Sequence, residues 1–253
     1  MDPGYLNIKQ KEEIEEEILP TKEKYMSLIG ALLYLAVSCR PDIAISASIL
    51  GRKVSKPTKA DWTEAKRTLR YLYSTADMKL TLGGAGDLIG YADADWAGDK
   101  TDRKSNTGFV FQLGKGSISW TARKQQCVTL SSTEAEYVAI SEASKELMWL
   151  LKLLADLGEK IQKPVTIKED NQSCISLLQA EGESQRTKHI DTKFNFIRDI
   201  CNNGTLKVKY CPTEFMKADI LTKPLARIKH GMLRESLGIH YIALEEECSR
   251  SKP

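Results

Sequence analysis

The run Gly83-Gly-Ala-Gly86 splits the chain into two textures, and this switch limits the possible folds more than any other feature. Ahead of it the pattern is helical. Tyr25 to Val37 is nearly all apolar, which predicts a buried helix. Pro41 suits the first turn of a second helix running to about Val54. Thr58 caps a third, with Asp61 three residues on, and Trp62, Ala65, Leu69, Leu72 and Tyr73 keep helical spacing as far as about Ser74. Past the glycines the pattern turns to strands. Leu88 to Asp93, Thr107 to Leu113 and Ser117 to Thr121 are short, β-prone and separated by turn residues, so they predict three consecutive antiparallel strands. A long helix, Ser132 to Leu157, ends at Gly158. Then come a strand (Pro164 to Lys168), a short helix (Asn171 to Gln179), a helix (about Lys188 to Cys201) and a strand (Leu206 to Tyr210). Glu214 to Thr222 reads as a terminal helix, and Arg227 to Leu237 as one more amphipathic helix. This order predicts an α/β fold, a mixed sheet with helices packed on it.

Composition excludes several classes. The chain has 253 residues, 42% hydrophobic and 28% charged, within the range of soluble globular proteins. No apolar run approaches the roughly 20 residues of a membrane helix, so no membrane partner is expected. Met1-Asp-Pro-Gly lacks the layout of a signal peptide, which points to the cytoplasm. The six cysteines form no C-x-x-C pair, and His189, Cys201 and Cys211 have the spacing of no structural zinc class. A net charge of +3 says little by itself. Its distribution says more: Arg52 to Arg70 is basic, and Glu12 to Glu17 acidic. Lys100, Arg103, Lys104, Arg123, Lys124, Arg186, Lys188 and Lys193 flank the acids described next. Basic groups around an acidic centre suit a polyanion held over metal ions, although a solvated surface explains any single one equally well.

Those acids are Asp93, Glu136, Asp170 and Asp219, at the edges of a strand, a helix, a strand and a helix in that order. An α/β fold can bring them together, and carboxylates that converge need a cation to cancel their repulsion. Glu136 shares the helix stripe of Ile140, Ala143, Leu147, Leu150 and Leu154, where an unpaired carboxylate is costly. Glu134 has a sufficient role in the capping box Ser131-Ser-Thr-Glu134. Asp93 lies on the same side of its strand as Ile89 and Tyr91, taken as the core side, with Asp95 as competitor and a turn as the alternative role for either. Asp170 stands where a strand meets a helix, with capping as its alternative and Glu169 as a weaker candidate. Asp219 alone reads better as one more exposed helix acid than as a site residue. His189 is a proton shuttle, a phosphate contact or a packed helix residue, with the last two favoured. Trp120 suits base stacking or, more often for a strand residue, the core.

Several motifs occur in one order: Tyr91-Ala-Asp-Ala-Asp-Trp-Ala-Gly-Asp99, Arg103-Lys-Ser-Asn-Thr-Gly108, Ser119-Trp120, Leu130-Ser-Ser-Thr-Glu-Ala-Glu-Tyr137, Asp170-Asn-Gln-Ser173, Thr187-Lys-His-Ile-Asp191 and Ala218-Asp-Ile-Leu-Thr-Lys-Pro-Leu225. Together they resemble the ribonuclease H domain of copia-type LTR retrotransposon Pol polyproteins, over roughly Asp87 to Leu225. Upstream, Met1-Asp-Pro-Gly-Tyr5, Leu28-Ile-Gly30, Arg40-Pro-Asp-Ile43 and Leu69-Arg-Tyr-Leu72 resemble the end of the reverse transcriptase of the same polyproteins.

The resemblance implies a ribonuclease H-like fold, a five-stranded mixed sheet flanked by helices and preceded by a small helical region. It divides the chain into a thumb- or connection-like part (1–84), the ribonuclease H domain (85–225) and a C-terminal helix with a polar tail (226–253). It places Asp93, Glu136, Asp170 and Asp219 on four catalytic, metal-binding acids that hold two Mg²⁺ ions, with Mn²⁺ as a substitute. Asp93 bridges both ions, Asp219 helps hold the one that activates water, and Glu136 and Asp170 hold the one at the leaving oxygen. The implied reaction is endonucleolytic hydrolysis of the RNA strand of an RNA–DNA hybrid. Arg103, Lys104, Arg123, Lys124, Lys188 and His189 are candidate contacts to that hybrid. The remainder of the reverse transcriptase, its fingers and palm, is an implied partner, and a virus-like particle the implied setting in an active element. The Tyr-x-Asp-Asp turn of polymerases is missing, so no DNA synthesis is expected of this chain. The alternative reading is a nucleic-acid-binding remnant whose site goes unused. An integrase-like nuclease is disfavoured, because the chain has four site acids in this motif context and no zinc-binding arm.

Overall fold

The computed structural model describes residues 1–5, 18–99, 101–179 and 191–241. In chain order its elements are α1 (Glu23–Ser38), α2 (Ala44–Gly51), α3 (Lys59–Ser74), β1 (Met78–Leu80), β2 (Leu88–Asp95), β3 (Asn106–Leu113), β4 (Gly116–Lys124), α4 (Ser132–Asp156), β5 (Val165–Glu169), α5 (Gln172–Gln179), α6 (Asp191–Asn202), β6 (Leu206–Tyr210), α7 (Asp219–Thr222), α8 (Arg227–Ser236) and β7 (Ile239–Tyr241). They form two compact units, residues 83–223 and residues 1–82 with 224 onward.

In the helical unit the apolar spacing of the sequence is only half used. Helix α1 buries the stripe Tyr25, Ile29, Leu32 and Ala36, while Met26, Tyr34 and Val37 stay exposed. In α3 the capping box of Thr58 and Asp61 forms as expected. The buried stripe of that helix is Asp61, Glu64, Ala65, Thr68 and Leu72, and Leu69 and Tyr73 face outward. Polar groups take the inner positions because partners await them: Tyr5 OH and Thr58 Oγ1 both donate to Asp61. The predicted second helix starts as a 3₁₀ turn, Pro41–Ile43, before α2. Residues after 224 belong to this unit through two features. Strand β7 pairs antiparallel with β1. His230 on α8 lies edge-on to Tyr71, 5.4 Å between ring centres, with Nε2 3.0 Å from the Asp42 carbonyl oxygen.

The second unit is a five-stranded mixed sheet in the order β4-β3-β2-β5-β6. The strands β2, β3 and β4 are antiparallel neighbours, whereas β5 runs parallel to β2 and β6 parallel to β5. This is the ribonuclease H-like topology implied by the motifs. Helix α4 covers one face, burying Ala139, Ile140, Ala143 and Leu147 against Leu88, Ala92, Phe109, Phe111 and Ile167. The opposite face meets residues 211–222, where Met216, Ala218 and Cys211 pack with Tyr91.

Two expectations need correction. Glu214 to Thr222 is not one helix but a 3₁₀ turn, Thr213–Phe215, followed by the four-residue α7. Met216 breaks it: its backbone is extended, and its side chain is fully buried. Asp93 does share a strand side with Ile89 and Tyr91, but Leu88, Ala92 and Ala94 face α4. Asp93 therefore projects toward α7, away from the main core.

Candidate metal centre

Strand β2 carries Asp93 into the sheet interior at 2% exposure. Opposite it on β3 stands Gly108. A Cβ there would come within 2.7 Å of both Leu221 Cβ and Thr222 Cγ2, so the missing side chain lets α7 lie directly on the strand. Helix α7 then delivers three groups. Thr222 Oγ1 donates to Asp93 Oδ2. Asp219 opens the helix, fully buried. Lys223 Nζ, just past its end, sits 2.8 Å from Asp219 Oδ1 and 3.7 Å from Asp93 Oδ2.

From the other side α4 brings Glu136, and the end of β5 brings Asp170. One carboxylate oxygen each from Asp93, Glu136 and Asp170 lie within 4.8 Å of one another. The fourth predicted acid, Asp219, stands outside that trio and joins Asp93 through the shared Lys223 ammonium. Glu169 adds a further acid. It is fully buried, its Oε1 accepts from the Asn171 amide at 3.1 Å, and its Oε2 has no partner. Glu136 Oε2 is likewise buried and without a partner.

The electrostatics follow from this crowding. Burial, reinforced by Asp219 and Asp170 and opposed by Lys223 and Thr222, pushes the Asp93 carboxyl up to about 7. Burial and then Glu169, Asp93 and Asp170 raise Glu136 well above the usual carboxylate range. Glu169 rises for the same reasons, its amide hydrogen bonds notwithstanding. Burial pulls the Lys223 ammonium down, but Asp93 and Asp219 outweigh it and raise its pKa. Buried carboxylate oxygens with unused lone pairs are the donor set that hard divalent cations take. The residues present fit such an ion.

The competing acids have other work. Glu134 Oε2 accepts from the Leu130 amide at 2.6 Å while Ser131 Oγ accepts from the Glu134 amide, so Glu134 shapes the α4 start. Asp95 folds over the turn at Gly98, where a Cβ would meet its Oδ2 at 1.8 Å. Among the candidate nucleic-acid contacts, Arg123 pairs with Glu142. Lys124 pairs with Asp99 and, at 2.8 Å, with Asp102, pinning the loop before β3. Arg103, at φ 57, and Lys104 lie in that same loop. Arg123 and Lys124 also line a polar groove of 280 Å³ with Lys145 and Lys193. Lys188 and His189 lie outside the described residues. Gly108, Thr222 and Lys223 are site residues that sequence reasoning missed. A glycine inside a strand pattern and a lysine four residues after Asp219 were the available signals.

A sheet of this topology with carboxylates gathered where β2, β5 and α4 meet defines a ribonuclease H-like domain with a candidate metal centre. No family model matches the chain. Over 241 residues it is 40% identical to the retrovirus-related Pol polyprotein from transposon TNT 1-94 of Nicotiana tabacum, covering 94% of this chain and 18% of that protein. It is 38% identical over 223 residues to the Pol polyprotein from transposon RE2 of Arabidopsis thaliana, covering 87% of this chain and 15% of that one. Among solved structures, LC11-RNase H1, isolated from compost, matches with a TM-score of 0.43 and 21% identity over 54% of this chain and 92% of that chain. The chain belongs to the retrovirus-related Pol polyproteins of copia-type transposons, and it spans less than a fifth of the length of these relatives.

Proposed function

We propose that residues 85–225 are a retrotransposon ribonuclease H that hydrolyses the RNA strand of RNA–DNA hybrids, with Asp93, Glu136, Asp170 and Asp219 as its metal ligands. Residues 1–84 are then the thumb- or connection-like end of a reverse transcriptase, whose remaining parts are its partner. One observation carries the reading: three carboxylates from β2, α4 and the end of β5 present oxygens within 4.8 Å of one another. Two Mg²⁺ ions, or Mn²⁺ in their place, supply activation of water and charge stabilisation at phosphorus when bound.

The residues of the chain do the positioning. Asp93 belongs to the trio with Glu136 and Asp170 and shares Lys223 with Asp219, so it would serve with both sets. Thr222 fixes the Asp93 carboxylate by its hydroxyl, leaving the second oxygen for a ligand. Glu169 accepts the Asn171 amide and so holds the turn that presents Asp170. Lys223 balances Asp93 and Asp219 until a cation arrives. Preference for RNA rests on 2′-hydroxyl contacts and duplex shape rather than on base identity.

The test is incubation of the purified protein with an end-labelled RNA–DNA hybrid and Mg²⁺. Cleavage of the RNA strand alone, reduced at least ~10²-fold in Asp93→Asn and Glu136→Gln, is the expected result. A hybrid that is bound but stays intact under wild-type protein sinks the proposal in favour of an unused remnant.

A further inference from the structure

Alternation along β5 buries Val165, Ile167 and Glu169, so Thr166 and Lys168 stand on the face turned away from α4. In β6, Leu206 and Val208 join the core beneath α4, which puts Lys207 and Lys209 on the same side as Lys168. The register completes the arrangement: Lys168 is beside Lys209, Thr166 beside Lys207, and Tyr91 beside Lys168. Three ammonium groups thus share one face of two adjacent strands, the face toward which Asp93 projects. A fourth cation, Lys217, is anchored next to them, 5.1 Å above the Tyr91 ring and donating to Gln112 Oε1 at 2.7 Å.

Such a cluster is unfavourable on its own. Like charges directly opposite one another on neighbouring strands destabilise a sheet. Edge strands do carry lysines that block pairing with other chains, and β6 is an edge. That accounts for Lys207 and Lys209. It does not account for Lys168, because β5 has a strand on each side. None of the three lysines forms an ion pair among the described residues. Lys168 also precedes Asp170 by two positions, about 7 Å along a strand, so the cationic face begins beside the carboxylates.

We propose that Lys168, Lys207 and Lys209 form a phosphate-binding surface that holds the backbone of the RNA–DNA hybrid outside the metal centre. The choice of hybrid rests on the ribonuclease H reading; the surface itself rests on the lysines. Each lysine that neutralises a phosphate contributes about 0.9 to the slope of log affinity against log salt concentration.

Fluorescence anisotropy with a labelled RNA–DNA hybrid in EDTA measures binding without hydrolysis. The variant K168Q/K207Q/K209Q is expected to bind more weakly and to flatten the salt slope by roughly 2–3. A charge-matched variant elsewhere, K152Q/K160Q/K163Q, is expected to keep the wild-type slope. Equal effects in both variants, or none in the first, overturn the proposal. K209Q alone, at an exposed edge position where folding is not at stake, should lower the slope by about one, and an unchanged slope there also overturns it. Cleavage in Mg²⁺ is scored separately. Wild-type protein that binds through these lysines yet leaves the hybrid uncut refutes the nuclease reading and supports this one. Wild-type protein that cuts, with binding indifferent to the lysines, refutes this one alone. No binding at all refutes both.

Discussion

Both units bury acids, and they treat them in opposite ways. In the helical unit Asp42 is 2% exposed and fully engaged: Arg40 Nε donates to Oδ1 at 2.9 Å, Arg40 Nη2 to Oδ2 at 2.7 Å, and Tyr71 OH to Oδ2 at 2.6 Å. Asp61, also buried, accepts from the Thr58 amide and hydroxyl and from Tyr5. In the sheet unit Glu136 and Glu169 each keep a buried oxygen without a partner, and burial together with neighbouring acids raises the pKa of Asp93, Glu136 and Glu169. Burying a charge costs several kcal/mol unless it is paired. The first pattern is therefore architecture. The second is an arrangement that could hold a cation. Burial by itself does not mark a functional acid, whereas buried carboxylates that lack partners and crowd one another do.

The sharpest way to break this contrast is to remove a paired acid. Asp42→Ala leaves the Arg40 guanidinium buried beside Thr75 with no carboxylate, an expected loss of about 3–5 kcal/mol in the helical unit. Urea unfolding followed by hydrogen exchange in residues 18–82 reads it. A loss under about 1 kcal/mol would mean that the pairing is not structural. Glu136→Gln should act with the opposite sign. Without metal it removes a carboxyl crowded by Glu169, Asp93 and Asp170, so the sheet unit should gain stability in the same unfolding measurement.

Metal and pH sharpen the same contrast, with a slightly smaller effect. The Asp93 carboxyl sits at about 7 in the folded chain against an ordinary 3.8, so between those values the native state holds more protons than the unfolded one. The stability of the metal-free protein due to this group therefore falls as pH rises through that window. A divalent ion needs the carboxylate form, so its binding strengthens over the same interval. At a Mg²⁺ concentration about a hundred times Kd, the gain should reach about 2.7 kcal/mol near pH 8 and largely vanish near pH 5. Differential scanning calorimetry at both pH values measures it. An equal Mg²⁺ shift at both, or one that survives in Asp93→Asn, would remove the metal centre from consideration.

How much of this was legible beforehand depended on whether one residue or two elements carried the information. The helix stripe of Glu136 and the strand-to-helix position of Asp170 are local patterns, and both hold. The capping box at Thr58 is local too, and it forms. Alternation in β2 correctly grouped Asp93 with Ile89 and Tyr91, but this strand is covered on both faces, so alternation could not say which face was which. Leu69 and Tyr73 have helical apolar spacing yet stay exposed, while Asp61, Glu64 and Thr68 take the buried stripe, and one partner of Asp61, Tyr5, lies far away in sequence. The length of α7 was unreadable because burial of Met216, a tertiary event, stops the helix. Gly108 could be read only as a weak strand position until α7 was seen lying on it. Gly108→Ala should cost about 1–3 kcal/mol by overpacking against Leu221 and Thr222, and should weaken Mg²⁺ binding by displacing Thr222 from Asp93. Calorimetric titration of the variant with Mg²⁺ checks this, and unchanged affinity would show that α7 does not position the centre.

The smallest expected effect tests a cation already in the site, Lys223. Lys223 Nζ stands 2.8 Å from Asp219 and 3.7 Å from Asp93, in space that a divalent ion near those acids would contest. Its ammonium therefore has two opposed effects: it stabilises the metal-free fold by screening Asp93 from Asp219, and it repels an incoming ion. Lys223→Gln should lower the melting point of the metal-free sheet unit and at the same time tighten Mg²⁺ binding. Because the side chain is partly solvated, each effect should be modest, about 0.5–1 kcal/mol, or roughly twofold to fivefold in Kd. The two signs must appear together. A variant that loses stability and also binds Mg²⁺ more weakly would show that Lys223 supports the ligand arrangement, and the contrast between satisfied and unsatisfied acids would then have to count Asp219 among the satisfied ones.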